Sequence, residues 1–176
     1  MNNSSQADVI IFMTDEERAI PPYETQEVIE WRDRTLAGRN WFKENGVCFN
    51  RHYTGSLACV PSRPTLFTGQ FPDVHGVTQT NGLGKDEYDS RMRWLLPREV
   101  PTIGHWFRAA GYDTHYDGKW HISHADLVDE DTGNPLATNT SDGTVIQDAF
   151  DRYLTENPIN EFGFSGWVGP EPHGAP

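Results

Sequence analysis

Three groups of residues in this 176-residue chain have the types and spacing to do chemistry. The first is Cys59 in the stretch ACVPSRPTLFTGQ, residues 58–70, with Arg63 four residues on. Pro61 and Pro64 are tolerated together near a helix start, where backbone N–H groups lack intrahelical partners. Gly69 can end that helix. Cys59 then stands just ahead of a helix N-terminus, where N–H groups and the macrodipole favour an anion. Arg63, one turn along, can reach back toward the same point with a guanidinium suited to a planar or tetrahedral oxyanion. The stretch reads as a nucleophile position at an anion site. The second group is Asp15 with Glu16, in the acidic cluster that ends the run DVIIFMTDEE. The third is Lys119 with His121, which close GYDTHYDGKWH.

The elements that must hold these groups follow from periodicity. DVIIFMTDEE is a short, all-apolar run, as a parallel strand covered on both faces requires. Its acidic end falls where open α/β sheets place their ligands. Residues 28–45 predict one helix offering Trp31, Leu36, Trp41 and Phe42 to a core, with Gly46 as its stop. GVCFNRHY predicts a short strand in which Cys48 is a buried thiol. Pro101 opens a helix whose face is Ile103, Trp106, Phe107 and Ala110, and Gly111 ends it. Tyr112, Thr114 and Tyr116 then alternate with polar residues, as a strand would. Alternating strand and helix is α/β grammar. Residues 145–156 predict an amphipathic helix, 125–144 a loop, and the tail FGFSGWVGPEPHGAP no regular element.

Each candidate also has a plainer reading. Asp15 and Glu16 suit a solvated strand end, Lys119 a surface position, and His121 a hydrogen-bonded loop. His75 reads as structural, and His52, His105, His115 and His124 as packing or surface residues. The formal net charge of -12 argues against nucleic-acid and membrane-surface partners, which are themselves anionic. Two cysteines make no disulfide framework. The sequence MNNSSQADVIIFMTDE lacks a basic region and has too short an apolar run for a secretory leader, so a cytoplasmic location is expected.

Taken jointly, the motifs carry a resemblance. Cys59-Val60-Pro61-Ser62-Arg63 followed by Gly69 resembles the C-x-P-S-R signature of type I sulfatases. FMTDEE is similar to that family's first strand with its acidic metal ligands, and GYDTHYDGKWH to its G-K-W-H element. The resemblance implies an α/β fold, an alkaline-phosphatase-like sandwich with a mostly parallel sheet between helices, of which residues 1–176 would be the N-terminal portion. It implies that Cys59 is converted to formylglycine by a maturation enzyme and that its hydrate is the nucleophile on a sulfate monoester. Asp15, with Glu16 beside it, would bind a divalent cation, calcium first and then magnesium or manganese, and one oxygen of the Cys59 formylglycine diol would also contact that metal. Arg63 and Lys119 would stabilise the diol, Lys119 would also hold a sulfate oxygen, and His121 would bond the second hydroxyl. Asn81 lies where some relatives keep a polar group near the substrate. The logic is chemically sound, because a sulfate ester is a poor electrophile until cations neutralise its oxygens.

Two departures matter. The family carries two aspartates where this chain has Asp15-Glu16, which leaves phosphonate monoesters or phosphodiesters open as substrates. Position 70 is Gln where many members carry arginine or lysine. A relative that only binds, with Cys59 left as a thiol, is a further alternative. Family members run to several hundred residues and carry further metal ligands, a leaving-group acid and a second lysine. No counterparts stand out in residues 125–176, so this chain is expected to supply half a site, to need the remainder of the catalytic domain, and to be inactive alone.

Overall fold

The computed structural model describes residues 6–15, 17–82, 84–85 and 89–171. It divides into two units, residues 1–52 and 53–176. In the first, residues 6–14 have no regular structure, and Val9, Ile10, Ile11 and Phe12 are exposed. This corrects the expected buried strand. A strand needs a ladder partner, and no ladder involving this run is found among the described residues.

The expected single helix is two, α1 (Gln26–Thr35) and α2 (Ala37–Asn45). Leu36, at φ -90° and ψ 66°, leaves the helical region between them. Gly38, in the first turn after the break, is a weak helix former. Neither helix buries a side chain, so the core face expected of Trp31, Leu36, Trp41 and Phe42 is not formed. Phe42 instead meets Trp41 at 5.3 Å and Phe12 at 6.2 Å between ring centroids. Gly46 does follow α2, in extended rather than left-handed backbone. Cys48 is exposed and outside any strand, contrary to expectation, and its thiol donates to Asn50 Oδ1 at 3.2 Å.

The second unit holds the core. Helix α3 (Cys59–Thr68) buries Val60, Arg63, Pro64 and Phe67, a stripe at helical spacing, together with Pro61. Gly69 at φ 70° ends it and donates its N–H to Thr65 O at 3.0 Å. The short helix α4 (Pro72–His75) follows. Helix α5 (Ile103–Ala109) starts at Thr102 rather than Pro101, through a capping box with His105. Ile103 packs against the core, but Trp106 is exposed, so the expected four-residue face is only partly used.

Strand β1 (His115–Lys119) pairs in parallel with β2 (Gly166–Glu171), with a bulge between Asp117 and Gly118. Helix α6 (Gln147–Glu156), as predicted from its amphipathic pattern, lies in the crossover and buries Ala149 and Tyr153. The tail was expected to hold no element. Instead it contributes β2, and Phe162, Phe164 and Trp167 are core residues. Aromatic rings dominate that core, with Trp120 meeting Phe67, Phe162, Phe164 and Tyr116 edge-on at 5.2 to 5.7 Å. Helices beside a small parallel sheet make the fold class α/β, as expected. No helix among the described residues is long and apolar enough to cross a membrane.

Candidate active site

Cys59 is the first residue of α3, preceded by Ala58 in extended backbone. It therefore sits within the N-terminal turn, where amide N–H groups are unused by the helix. Its half-buried Sγ is 3.6 Å from Thr80 Oγ1. The next residue, Asn81, accepts a hydrogen bond at Oδ1 from His121 Nε2, 2.9 Å away. The adjacent pair Thr80–Asn81 thus touches the thiol with one side chain and the imidazole with the other. A turn follows, in which Gly82 and Lys85 exchange backbone hydrogen bonds of 2.9 and 3.1 Å. Thr80, Asn81, Gly82, Gly84 and Lys85 line an open depression of about 340 Å³.

Arg63 is buried at 6% exposure. Its Nη1 donates to Lys119 O at 2.5 Å, Tyr116 Oη at 3.2 Å and Trp120 O at 3.4 Å. This guanidinium ties α3 to the end of β1. Lys119 is the half-buried last residue of that strand. His121, two residues on, is 4% exposed and adopts φ 50°, a left-handed conformation rare outside glycine. Trp94 lies against its ring at 5.6 Å.

His75 has the structural place its sequence suggested. Val77 N–H donates to its Nδ1 at 3.2 Å, and Nε2 lies 3.0 Å from Thr65 Oγ1. Thr65 spends its own proton on Pro61 O, so Nε2 carries the donor hydrogen and the ring is neutral. Burial lowers the His75 pKa, partly offset by its backbone hydrogen bond and by Asp73.

Within the second unit, the adjacent residues Thr80 and Asn81 contact Cys59 and His121 respectively, and Arg63 bonds the main-chain carbonyl of Lys119. Asp15 belongs to the first unit, in a bend that follows its irregular N-terminal run. Glu16 lies outside the described residues. No three His, Cys, Asp or Glu side chains group as a metal site among the described residues. Two contributors escaped the sequence reading. Thr80 sits in a polar stretch, VTQTNG, whose composition signals only a loop. Tyr116 looked like an ordinary alternating strand residue, and its contact with Arg63 spans 53 positions.

Comparison with known proteins identifies the family. The sulfatase family matches residues 9–163. An uncharacterized sulfatase, YidJ, from Escherichia coli (strain K12) is 36% identical over 78 residues, which cover 44% of this chain and 13% of the relative. N-acetylgalactosamine-6-sulfatase from Mus musculus is 30% identical over 80 residues, covering 45% and 15%. Delta 4,5-hexuronate-2-O-sulfatase from Bacteroides thetaiotaomicron is 36% identical over 76 residues, covering 43% and 14%. The matched segment thus spans well under a quarter of each relative's length. No solved structure matches. With a family match across most of the chain, this chain belongs to the sulfatase family.

Proposed function

We propose that this chain forms part of a hydrolase of sulfate monoesters, acting at Cys59 after its conversion to formylglycine. The observation that carries the reading is the Thr80–Asn81 bracket, which joins Cys59 at the start of α3 to His121 beyond β1. The aldehyde made from Cys59 supplies, when hydrated, a nucleophile that can release sulfate without water attacking sulfur. The chain's own groups do the rest. The N-terminal turn of α3 presents a positive electrostatic end to an oxyanion. Lys119 adds a full cation, which offsets charge on the sulfate oxygens in a half-buried setting where screening is weaker. His121, fixed by Asn81, holds a hydroxyl at the nucleophile. Arg63 keeps α3 and the end of β1 in register through three acceptors.

A divalent cation belongs to this chemistry in the family. A hard ion such as calcium wants six to eight oxygen ligands with several carboxylates among them. The Thr80–Asn81 pair offers a hydroxyl at Cys59 and an amide bonded to the His121 imidazole, and no three His, Cys, Asp or Glu side chains group as a metal site among the described residues. Asp15 would be one suitable ligand. These residues do not fit the ion by themselves, so no step is routed through it.

Two measurements test the reading. Mass spectrometry of the Cys59 peptide, after coexpression with a formylglycine-generating enzyme, should show an aldehyde in place of the thiol. A fully retained thiol under those conditions argues for a binding protein instead. Aryl sulfate, alkyl sulfate and phosphonate monoester are then offered to the converted chain supplemented with the remainder of a catalytic domain. Sulfate release is the expected result, and preferential cleavage of the phosphonate would move the substrate class.

A further inference from the structure

Packing alone does not explain the hydroxyl of Tyr116. Its ring lies among Phe67, Trp120 and Phe164, with centroids 5.8, 5.2 and 5.5 Å away, and a phenylalanine would fill that space equally well. The hydroxyl instead accepts from Arg63 Nη1 at 3.2 Å and donates to Lys119 O at 2.5 Å. Arg63 Nη1 donates to the same carbonyl at 2.5 Å. One carbonyl oxygen is thus held by a phenol and a guanidinium, which also contact each other. Burial holds the phenol above its ordinary range, with Arg63 working against that, so the hydroxyl stays protonated and remains a donor.

The position of that carbonyl matters. It belongs to the peptide between Lys119 and Trp120, so its direction sets how the chain leaves β1. Two residues later the chain must place His121 at φ 50° against Asn81 and Trp94. A small rotation of the clamped peptide swings Lys119 on one side and His121 on the other. The opposite end of the clamp is α3, which begins at Cys59.

We infer that Tyr116 is a positioning residue, whose hydroxyl acts with Arg63 to hold the Lys119 carbonyl and so aligns Lys119 and His121 with each other beside Cys59. What the aligned pair binds rests on the sulfatase reading, whereas the clamp itself does not.

Nuclear magnetic resonance of the full chain, labelled at histidine, tests this with sulfate ion as the probe. Tyr116→Phe keeps the ring and deletes the hydroxyl. The His121 ring resonances, set by Trp94 and Asn81, should shift or broaden while those of His75 and His105 stay in place. Sulfate binding should weaken by about tenfold or more, as misplacement of aligned groups implies. Phe67→Leu loosens the packing around the same ring but spares the hydroxyl, and should leave the His121 resonances unmoved. The inference is overturned if His121 is unmoved in Tyr116→Phe, or if Phe67→Leu moves it equally. It is overturned too if Tyr116→Phe moves His75 and His105 or unfolds the chain, since the hydroxyl then serves the fold at large. If the wild type binds no sulfate, yet Tyr116→Phe shifts His121 alone, the positioning role stands and the sulfatase reading of the pair falls.

Discussion

Replacing His75 by asparagine should change how the stability of this protein depends on pH. His75 is 2% exposed and bonded at both ring nitrogens, accepting from Val77 N–H and donating to Thr65 Oγ1. Protonation would place a second donor against the Val77 N–H, inside a site that water does not reach. The folded pKa is accordingly lowered from 6.5, chiefly by burial. Above 6.5 the ring is neutral folded and unfolded, and its contribution is complete. As pH falls below 6.5 the unfolded chain takes up a proton that the folded chain refuses. Stability then drops by up to about 1.4 kcal/mol per pH unit until the folded pKa is reached. Asparagine can still accept from Val77 but loses the bond to Thr65 and leaves space, a cost of about 1–3 kcal/mol at neutral pH. Urea denaturation of both proteins between about pH 5 and pH 8 measures the difference. The wild-type advantage should be constant above 6.5 and shrink below it. An advantage that stays constant across the whole range would refute the claim that His75 is buried in its neutral form.

Three further outcomes follow from particular contacts. Trp167→Ala should destabilise by about 3–5 kcal/mol in denaturant melts, because the ring is 1% exposed, meets Tyr153 at 5.8 Å and donates to Gly118 O. A loss under about 1 kcal/mol would contradict its place in the core. Gly163→Ala should yield little folded protein by circular dichroism. Gly163 has φ 89°, and a Cβ there would stand 2.3 Å from His105 N and 2.5 Å from Gly104 C, both backbone atoms. In the unconverted chain, Thr80→Val should slow alkylation of Cys59 relative to exposed Cys48 by about two- to fivefold, since it replaces the hydroxyl 3.6 Å from Sγ with a methyl group that cannot hydrogen-bond sulfur. An unchanged ratio would remove Thr80 from the site.

Local signals made part of this legible. Pro61 and Gly69 mark the two ends of α3, because proline suits a first turn and only glycine takes φ 70° without strain, whereas Pro64 lies inside the helix. Helix α6 could be read from apolar spacing that still decides its buried face. The apolar run at 8–13 misled, because hydrophobic content names a segment that could be a strand without supplying the partner that makes it one. The tail misled in the other direction. Its glycines and prolines look like loop, yet GWVGPE pairs with β1, and the bulge accommodates Gly169 at φ 63° opposite the Asp117–Gly118 step.

By itself the sequence determined which chemistry was available. It carries Cys59 at a helix start, a lysine and a histidine two positions apart, and the motif spacing that marks the family. Tertiary structure alone decided what those groups touch. Thr80 reaches Cys59 from 21 positions away, Asn81 reaches His121 from 40, and Arg63 finds the Lys119 carbonyl across 56. Caps, turns and amphipathic faces are fixed by neighbours within a few residues, so composition and spacing reveal them. Contacts over such separations depend on how the aromatic core packs β1 and β2 against α3, and no short stretch of the chain encodes that packing.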